Sequence, residues 1–560
     1  EFIAQLPKNH EVTIREPGIR GVIKDRNGIE LANNDRNYEI SFNLKEVLDY
    51  YSKRNKDLGD IHNEGVKTID EVVNTLLRPR LAKYGLDRPE ENIPGLKAHF
   101  NTHGGLIPFT FRNDLSYDEF AIAAENNISL PGVYIDVRPQ RQYPYGALAS
   151  HVLGYVKQWE KKDIPEGFKH YVGDERGVAG VERTLDEHLR GTEGIRVILR
   201  DQKGKTLGLV DNKQRNSGAE VRLTIDAELQ FLTEKVLRQV GRAAAIVMDP
   251  HTGEVLAMAS TPDYNPNHFI PSIDPAQNRI YHENKARPFN NAAIQNFTPG
   301  STFKLPTALV GCLHGKANLQ HDCVGYTEYG KTKIRCWKRW GHGVLGLSEA
   351  TQRSCNPYFM QMASVIGADN LIAGFEQLGL GKKTGIRLPS ESRGIVPGNS
   401  SWRRLHRNRR ITPAISGMTT IGAADSEASP LQMATLVSAI ANRGHLYKPR
   451  IVKSVKHPTR NVLIPNRPKL KLNLLRAGIR IEDLEALRHG MWLAANKPGG
   501  TAGHASLEDL EVAAKTGTAQ TTDAGLKTNI AWTVGFAPYE NPKYVVAIAV
   551  RRGTSGGKVA

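Results

Sequence analysis

Phe297-Thr298-Pro299-Gly300-Ser301-Thr302-Phe303-Lys304 joins a stop signal to a helix signal. Pro-Gly ends whatever precedes it, and Ser301 falls where a new helix begins. Leu305, Ala308, Leu309 and Val310 then give that helix an apolar face. Residues three apart share a helix face, so Ser301 and Lys304 are in reach of each other. The helix N-terminus favours negative charge beside the serine. A serine hydroxyl is a weak nucleophile at neutral pH and needs an adjacent base. Lysine can be that base once burial or a neighbouring cation lowers its pKa. A Ser-x-x-Lys by itself occurs by chance in a chain of this length.

Two other clusters change its standing. Ser354-Cys355-Asn356 lies between two helical stretches, and Lys515-Thr516-Gly517-Thr518 ends a strand-like run. Alone, the first reads as a helix cap and the second as a strand end. In this order, with helix, loop and strand contexts, the three match the signature of serine acyl-transfer enzymes that react with penicillin. The surrounding sequence reads as an α+β domain. Val221, Leu223 and Ile225 end a strand, and Asp226 caps a helix over 228–240. Strands over 243–248 and 255–259 flank a turn at Asp249-Pro250-His251-Thr252-Gly253, and further strands fall at 512–518, 531–537 and 544–550.

The first 215 residues hold no catalytic cluster, which divides the chain into 1–215 and 216–560. Val12 and Ile14, then Val22 and Ile23, then Ile29 and Leu31 read as strands, with a hairpin turn at Asn27-Gly28. Helical spacing predicts an amphipathic helix over 66–78, ended or kinked by Pro79. A helix over 117–125, strands over 132–156 turning at Pro139 and Pro144, and a helix over 181–189 follow. Seventy-five basic and 58 acidic side chains in 560 residues give +17, which suits an anionic neighbour: a membrane surface, nucleic acid or an acidic polymer. The basic run 403–410 reads as an exposed loop rather than a nucleic-acid patch. No apolar run reaches the length of a membrane span, and the start without methionine reads as a fragment of a longer protein.

From about Arg20 onward the chain resembles the class B penicillin-binding proteins, bitopic D,D-transpeptidases of bacterial cell-wall synthesis. Beyond the three clusters, the resemblance rests on Arg20-Gly21-Val22-Ile23 with Asp25-Arg26-Asn27-Gly28, on His151-Val152-Leu153-Gly154-Tyr155, and on Gly180-Val181-Glu182 with Asp186. Asp249-Pro250 with Thr252-Gly253-Glu254, and Ser429-Pro430-Leu431-Gln432, also fit. It implies an antiparallel sheet flanked by helices, preceded by an elongated, mixed α/β, non-catalytic pedestal. It implies Ser301 as nucleophile on the carbonyl between two terminal D-alanines, Lys304 as base, Ser354 as proton relay and Asn356 as hydrogen-bonding partner of Lys304 and substrate. Lys515 would add positive charge. Thr516, Gly517 and Thr518 would line the carboxylate site, with Ser301 and Thr518 N–H groups as the oxyanion hole. Substrates would be D-Ala-D-Ala stem peptides, and β-lactams would acylate Ser301. No catalytic cofactor is implied. Expected partners are a polytopic glycosyltransferase of the rod-shape system and a shape-determining scaffold protein, with no nucleic acid. The expected location is the bacterial inner membrane, single-pass, with the catalytic domain in the periplasm. A D,D-carboxypeptidase or β-lactamase, or a non-catalytic penicillin sensor, are the alternatives.

Four cysteines lie within 44 residues, and three of them form Cys323-x12-Cys336-x5-His342-x12-Cys355. Three thiolates and an imidazole suit a structural zinc; buried free thiols or a Cys323–Cys336 disulfide are the other readings. Trp337 and Trp340-Gly341-His342-Gly343 resemble the elongation-type members, the penicillin-binding protein 2 group, some of which carry a metal near this loop. Asp322 is the reserve ligand. Ile421-Gly422-Ala423-Ala424 departs from the family's pattern, and Pro306 stands one residue later than usual, still within a first turn.

Overall fold

The computed structural model describes residues 10–57, 68–87, 93, 95–103, 105–126, 130–159, 170–171, 174–200, 206–330, 332–458, 462–523 and 525–560. Its C-terminal half is built on a five-stranded antiparallel sheet in the order Val255–Thr261, Ala243–Met248, Tyr544–Arg551, Leu526–Ala537, Ala513–Asp523. Every residue of Ala243–Met248 and Val255–Thr261 is buried, because helices cover both faces. Ala227–Val240 lies on one face, where Leu237 meets Ala243, Ala245, Ala259 and Val550. Asp226 caps it as expected, accepting from Leu229 N–H at 3.2 Å. On the other face runs Pro430–Ala441, a helix with all twelve residues buried. Such a helix is apolar or small all round, and its start is fixed by a capping box between Ser429 and Gln432. The α+β class expected from the sequence is the one observed.

The first half is organised by the long strand Glu30–Phe42, which pairs antiparallel with Val133–Gln142 from Asn33↔Gln142 to Phe42↔Val133 and also with Phe109–Leu115. The Asn27-Gly28 turn forms because Asp25 Oδ1 accepts the N–H groups of Asn27, Gly28 and Ile29 at 2.7, 2.7 and 2.8 Å. Three expectations fail here. Pro139 does not turn the chain; it lies inside Val133–Gln142, which among the described residues pairs on one side alone, with Glu30–Phe42, the setting in which a strand proline is tolerated. Pro79, expected to end or kink its helix, does not end it. A wide π turn at Val72–Leu77 precedes it, and the chain continues helical over Arg78–Ala82. Val66 lies outside the described residues, and this helix begins after its cap at Thr68. The single helix over 181–189 is two, Gly180–Thr184 and Asp186–Leu189, broken at Leu185.

That break serves a buried ion cluster. Glu182, fully buried, accepts from Arg20 Nε and Arg141 Nε at 2.7 Å each, and Arg20 also reaches Asp186 at 2.8 Å. Burial pushes the Glu182 carboxyl up, but Arg141 and Arg20 outweigh it and hold it below its ordinary range.

The two halves share a sheet. Glu220–Leu223 pairs parallel with Ile23–Lys24 on one side and antiparallel with Val452–His457 on the other. Beside it Glu254 is bonded to Arg26 at 3.2 Å and to Arg450 at 2.7 Å. The basic run 403–410 begins in a short helix, Ser400–Leu405, and only its remainder is an exposed loop. Among the described residues no helix is long and apolar enough to cross a membrane.

Candidate active site

Gly300–Phe303 forms one 3-10 turn that runs into the helix Lys304–Leu313, with Pro306 tolerated in its first turn. Lys304 Nζ donates toward Ser301 Oγ at 3.1 Å. The expected pair therefore forms. Ser301 is part-exposed while Lys304 is 1% exposed. Burial lowers the lysine pKa to about 8, against the raising pull of Cys355 and Cys336.

Ser354-Cys355-Asn356 closes over that amine from 50 residues away. Lys304 Nζ reaches the Ser354 carbonyl at 2.7 Å, Ser354 Oγ at 3.1 Å and Asn356 Oδ1 at 2.7 Å. Four acceptors surround an amine with at most three protons, so the lysine is held in place whichever proton leaves. Ser354 takes a left-handed φ of 51° at the corner between the helices Leu347–Gln352 and Asn356–Ile366. That conformation is rare for a side chain other than glycine and is tolerated here because both helices fix the corner.

Ala513–Asp523 is the edge strand of the five-stranded sheet and lies against the Ser301 turn. Gly517 is a glycine because of that approach: a Cβ there would stand 2.9 Å from the Pro299 carbonyl and 3.0 Å from Thr302 N. Lys515 is wholly buried and donates to the Thr516 carbonyl at 2.9 Å. Burial first, then the nearby Lys304 charge, lower its pKa well below the usual range. Both effects work against the positive charge expected of Lys515. Thr516 Oγ1 is occupied, donating to the Thr501 carbonyl at 2.9 Å. Thr518 Oγ1 accepts from Gly556 N–H at 3.2 Å, which leaves its own proton for a ligand.

Ile421-Gly422, a departure in sequence, supports the Gly300–Phe303 turn that carries Ser301. Gly422, at φ 72°, accepts Gly300 N–H at 3.2 Å, and a Cβ on it would stand 2.1 Å from the Gly300 carbonyl. Thr307 Oγ1 donates to the Thr420 carbonyl at 2.9 Å. Only the glycine itself signalled this role in the sequence.

Cys323, Cys336, His342 and Cys355 converge, their ligand atoms all within 4.8 Å of one another. His342 Nδ1 is 3.6 Å from both Cys323 and Cys336 sulfurs. All four cysteines are free, so the Cys323–Cys336 disulfide does not form. Asp322 is exposed on the opposite face of its strand and is not among the converging donors.

The model of the penicillin binding protein transpeptidase domain matches residues 243–560, more than half of the chain. The chain belongs to this family. The penicillin-binding protein dimerisation domain model matches residues 15–223. The peptidoglycan D,D-transpeptidase MrdA of Acinetobacter baumannii is 29% identical over all of this chain and 81% of its own length. The penicillin-binding protein PBP2 of Helicobacter pylori, solved in complex with MreC, is 25% identical with a TM-score of 0.78, over 99% of this chain and 97% of that one. A chain solved in a peptidoglycan synthase complex that coordinates polymerization and crosslinking has 25% identity and a TM-score of 0.74, over 99% of this chain and 90% of that one. Penicillin-binding proteins of this family are serine transpeptidases.

Proposed function

We propose that this penicillin-binding protein is a peptidoglycan D,D-transpeptidase of cell elongation, cross-linking stem peptides through an acyl-enzyme on Ser301 and inhibited by β-lactams. The observation that carries it is Lys304 Nζ, buried, 3.1 Å from Ser301 Oγ and gathered by Ser354 and Asn356. Neutral Lys304 takes the Ser301 proton as Oγ attacks the penultimate D-alanine carbonyl. The N–H groups of Ser301 and Thr518 receive the developing oxyanion, each worth about 3 kcal/mol. Ser354 passes a proton from Lys304 to the departing D-alanine amine. An amine from a neighbouring stem then attacks the ester, gives its proton to Lys304, and the proton returns to Ser301 Oγ. Asn356 orients Lys304 and the substrate amide. Lys515 and Thr518 hold the terminal carboxylate beside Gly517, and Thr516 braces that strand through Thr501.

The Cys323, Cys336, His342 and Cys355 donors fit a structural zinc. Tetrahedral sulfurs about 2.3 Å from zinc stand about 3.8 Å apart, close to the spacing of these donors. Burial lowers the His342 pKa, which leaves a neutral imidazole to coordinate. When bound, the metal would supply cross-linking, not chemistry, and would tie Cys355 and so the catalytic corner to the 323–342 segment.

The division into a pedestal at 1–215 and a catalytic domain at 216–560, an anchor in the cytoplasmic membrane with the catalytic domain on its outer side, and docking to a shape-determining scaffold protein and a polytopic glycosyltransferase complete this reading. The Helicobacter pylori complex and the synthase complex support the partners. Ser301→Ala abolishes labelling by fluorescent penicillin. With stem-peptide substrates the wild-type chain yields cross-linked dimers; release of D-alanine without dimers would replace transfer by hydrolysis.

A further inference from the structure

Between Cys336 and His342 the chain makes a tight turn. Gly341 N–H donates to the Lys338 carbonyl at 3.1 Å, so Arg339 and Trp340 are its corner residues. Trp340 is 91% exposed, more than any other large apolar side chain among the described residues. An indole left in water does nothing for folding. Nor is the turn loose. A Cβ at Gly341 would stand 1.8 Å from the Cys323 carbonyl, and one at Gly325 2.1 Å from the Arg339 carbonyl, so the backbones are in close contact. Presentation of an aromatic ring on a closely packed turn is a recognition device rather than an accident of a floppy loop.

The segment that leads into the turn is tied to the Ser354–Asn356 corner at two points. Asn356 Nδ2 donates to the Arg335 carbonyl at 3.3 Å, and Trp337 Nε1 donates to the Arg353 carbonyl at 2.8 Å. Its charge is unbalanced. Lys333 is spent on Glu328 and the Tyr326 ring. Arg335, Lys338 and Arg339 are exposed and make no ion pair among the described residues. A solvated indole beside unpaired cations, on a segment bonded to the Ser354–Asn356 corner, calls for a ligand with flat apolar faces and carboxylates.

We propose that the Lys338–Gly341 turn is the docking surface for uncross-linked peptidoglycan strands, with Trp340 stacking on a sugar ring and Lys338 and Arg339 pairing with stem-peptide carboxylates. The proposal rests on the transpeptidase reading and extends it from the scissile bond to the polymer. The pyranose ring offers a face of C–H groups that packs on an indole, and the stem carries free carboxylates beside those sugars. Small β-lactams carry no sugar ring, and their one carboxylate is met by Lys515 and Thr518 inside the Ser301 pocket.

The test compares the wild-type chain with Trp340→Ala, Trp340→Phe and Lys338→Ala/Arg339→Ala in two assays. One is the rate of acylation by fluorescent penicillin. The other is binding to soluble uncross-linked glycan strands, with pentapeptide stems or with the stems removed by an amidase. Acylation stays within about twofold in all variants, which shows that the fold and the Ser301 site are intact. Trp340→Ala weakens binding of both strand types by about tenfold or more, and Trp340→Phe recovers part of it. The double variant weakens only stem-bearing strands and flattens their salt dependence. Unchanged strand binding in Trp340→Ala and in the double variant overturns the proposal. So does an equal loss of binding to double-stranded DNA or to phosphatidylglycerol vesicles, which would make the turn a general anion or membrane contact. A wild-type chain that penicillin does not acylate sinks the enzymatic reading, while the strand comparison still decides the turn.

Discussion

Lys304 has to be both held and neutral, and burial does both. With its pKa near 8, about a tenth of the amine is free base at pH 7. Because the deprotonated form is the base, penicillin acylation should rise with pH and level off above about 8; a stopped-flow pH profile flat between 6 and 9 would remove Lys304 from that role. Gly422 makes a second residue-level prediction. A methyl group there meets the Gly300 carbonyl and forces a left-handed alanine, so Gly422→Ala should slow acylation by about tenfold or more with little change in overall unfolding. The Ser301–Lys304 pair was legible in the chain because three residues of helix fix it. Gly422 was not, since its partner is 122 positions away in sequence.

The corner that carries Ser354 and Asn356 depends on its neighbours. Cys355 belongs at once to the catalytic loop and to the sulfur cluster, so losing the cluster should loosen the ligands of Lys304. Chelation of metal from the purified chain, or Cys336→Ser, should lower the thermal midpoint and slow acylation together. Elemental analysis finding no zinc near stoichiometry, or a chelated chain of unchanged stability and rate, would count against the metal. Periodicity located the five strands of the C-terminal sheet and helices such as Tyr117–Asn126 and Ala227–Val240, left Leu44–Asp57, Pro430–Ala441 and Ile481–Asn496 unread, and failed where a tertiary partner overrode a local rule. Pro139 is accommodated in a strand with a single neighbour among the described residues, Pro79 follows a π turn, and Leu185 breaks a helix beside the charges of Arg20, Arg141 and Glu182.

The halves that sequence divides near residue 215 meet in one continuous sheet through Glu220–Leu223, with Glu254 bridging Arg26 and Arg450 beside it. Glu254 is 5% exposed, so its removal strands two partly buried guanidinium groups. Glu254→Ala should cost about 3 kcal/mol, read from the urea midpoint; no shift would mean that backbone pairing alone joins the halves. The order of the three catalytic clusters, the spacing of Ser301 and Lys304, and the alternation that makes strands are properties of neighbouring residues, and short-range geometry suffices to read them. Folding alone decided that Lys304 meets Asn356, that Lys515 is buried near that amine, that four cluster ligands converge, and that Trp340 is left in water. Those outcomes depend on contacts between residues far apart in the chain, whose side chains reach their pKa, partners and exposure only once the core has closed around them.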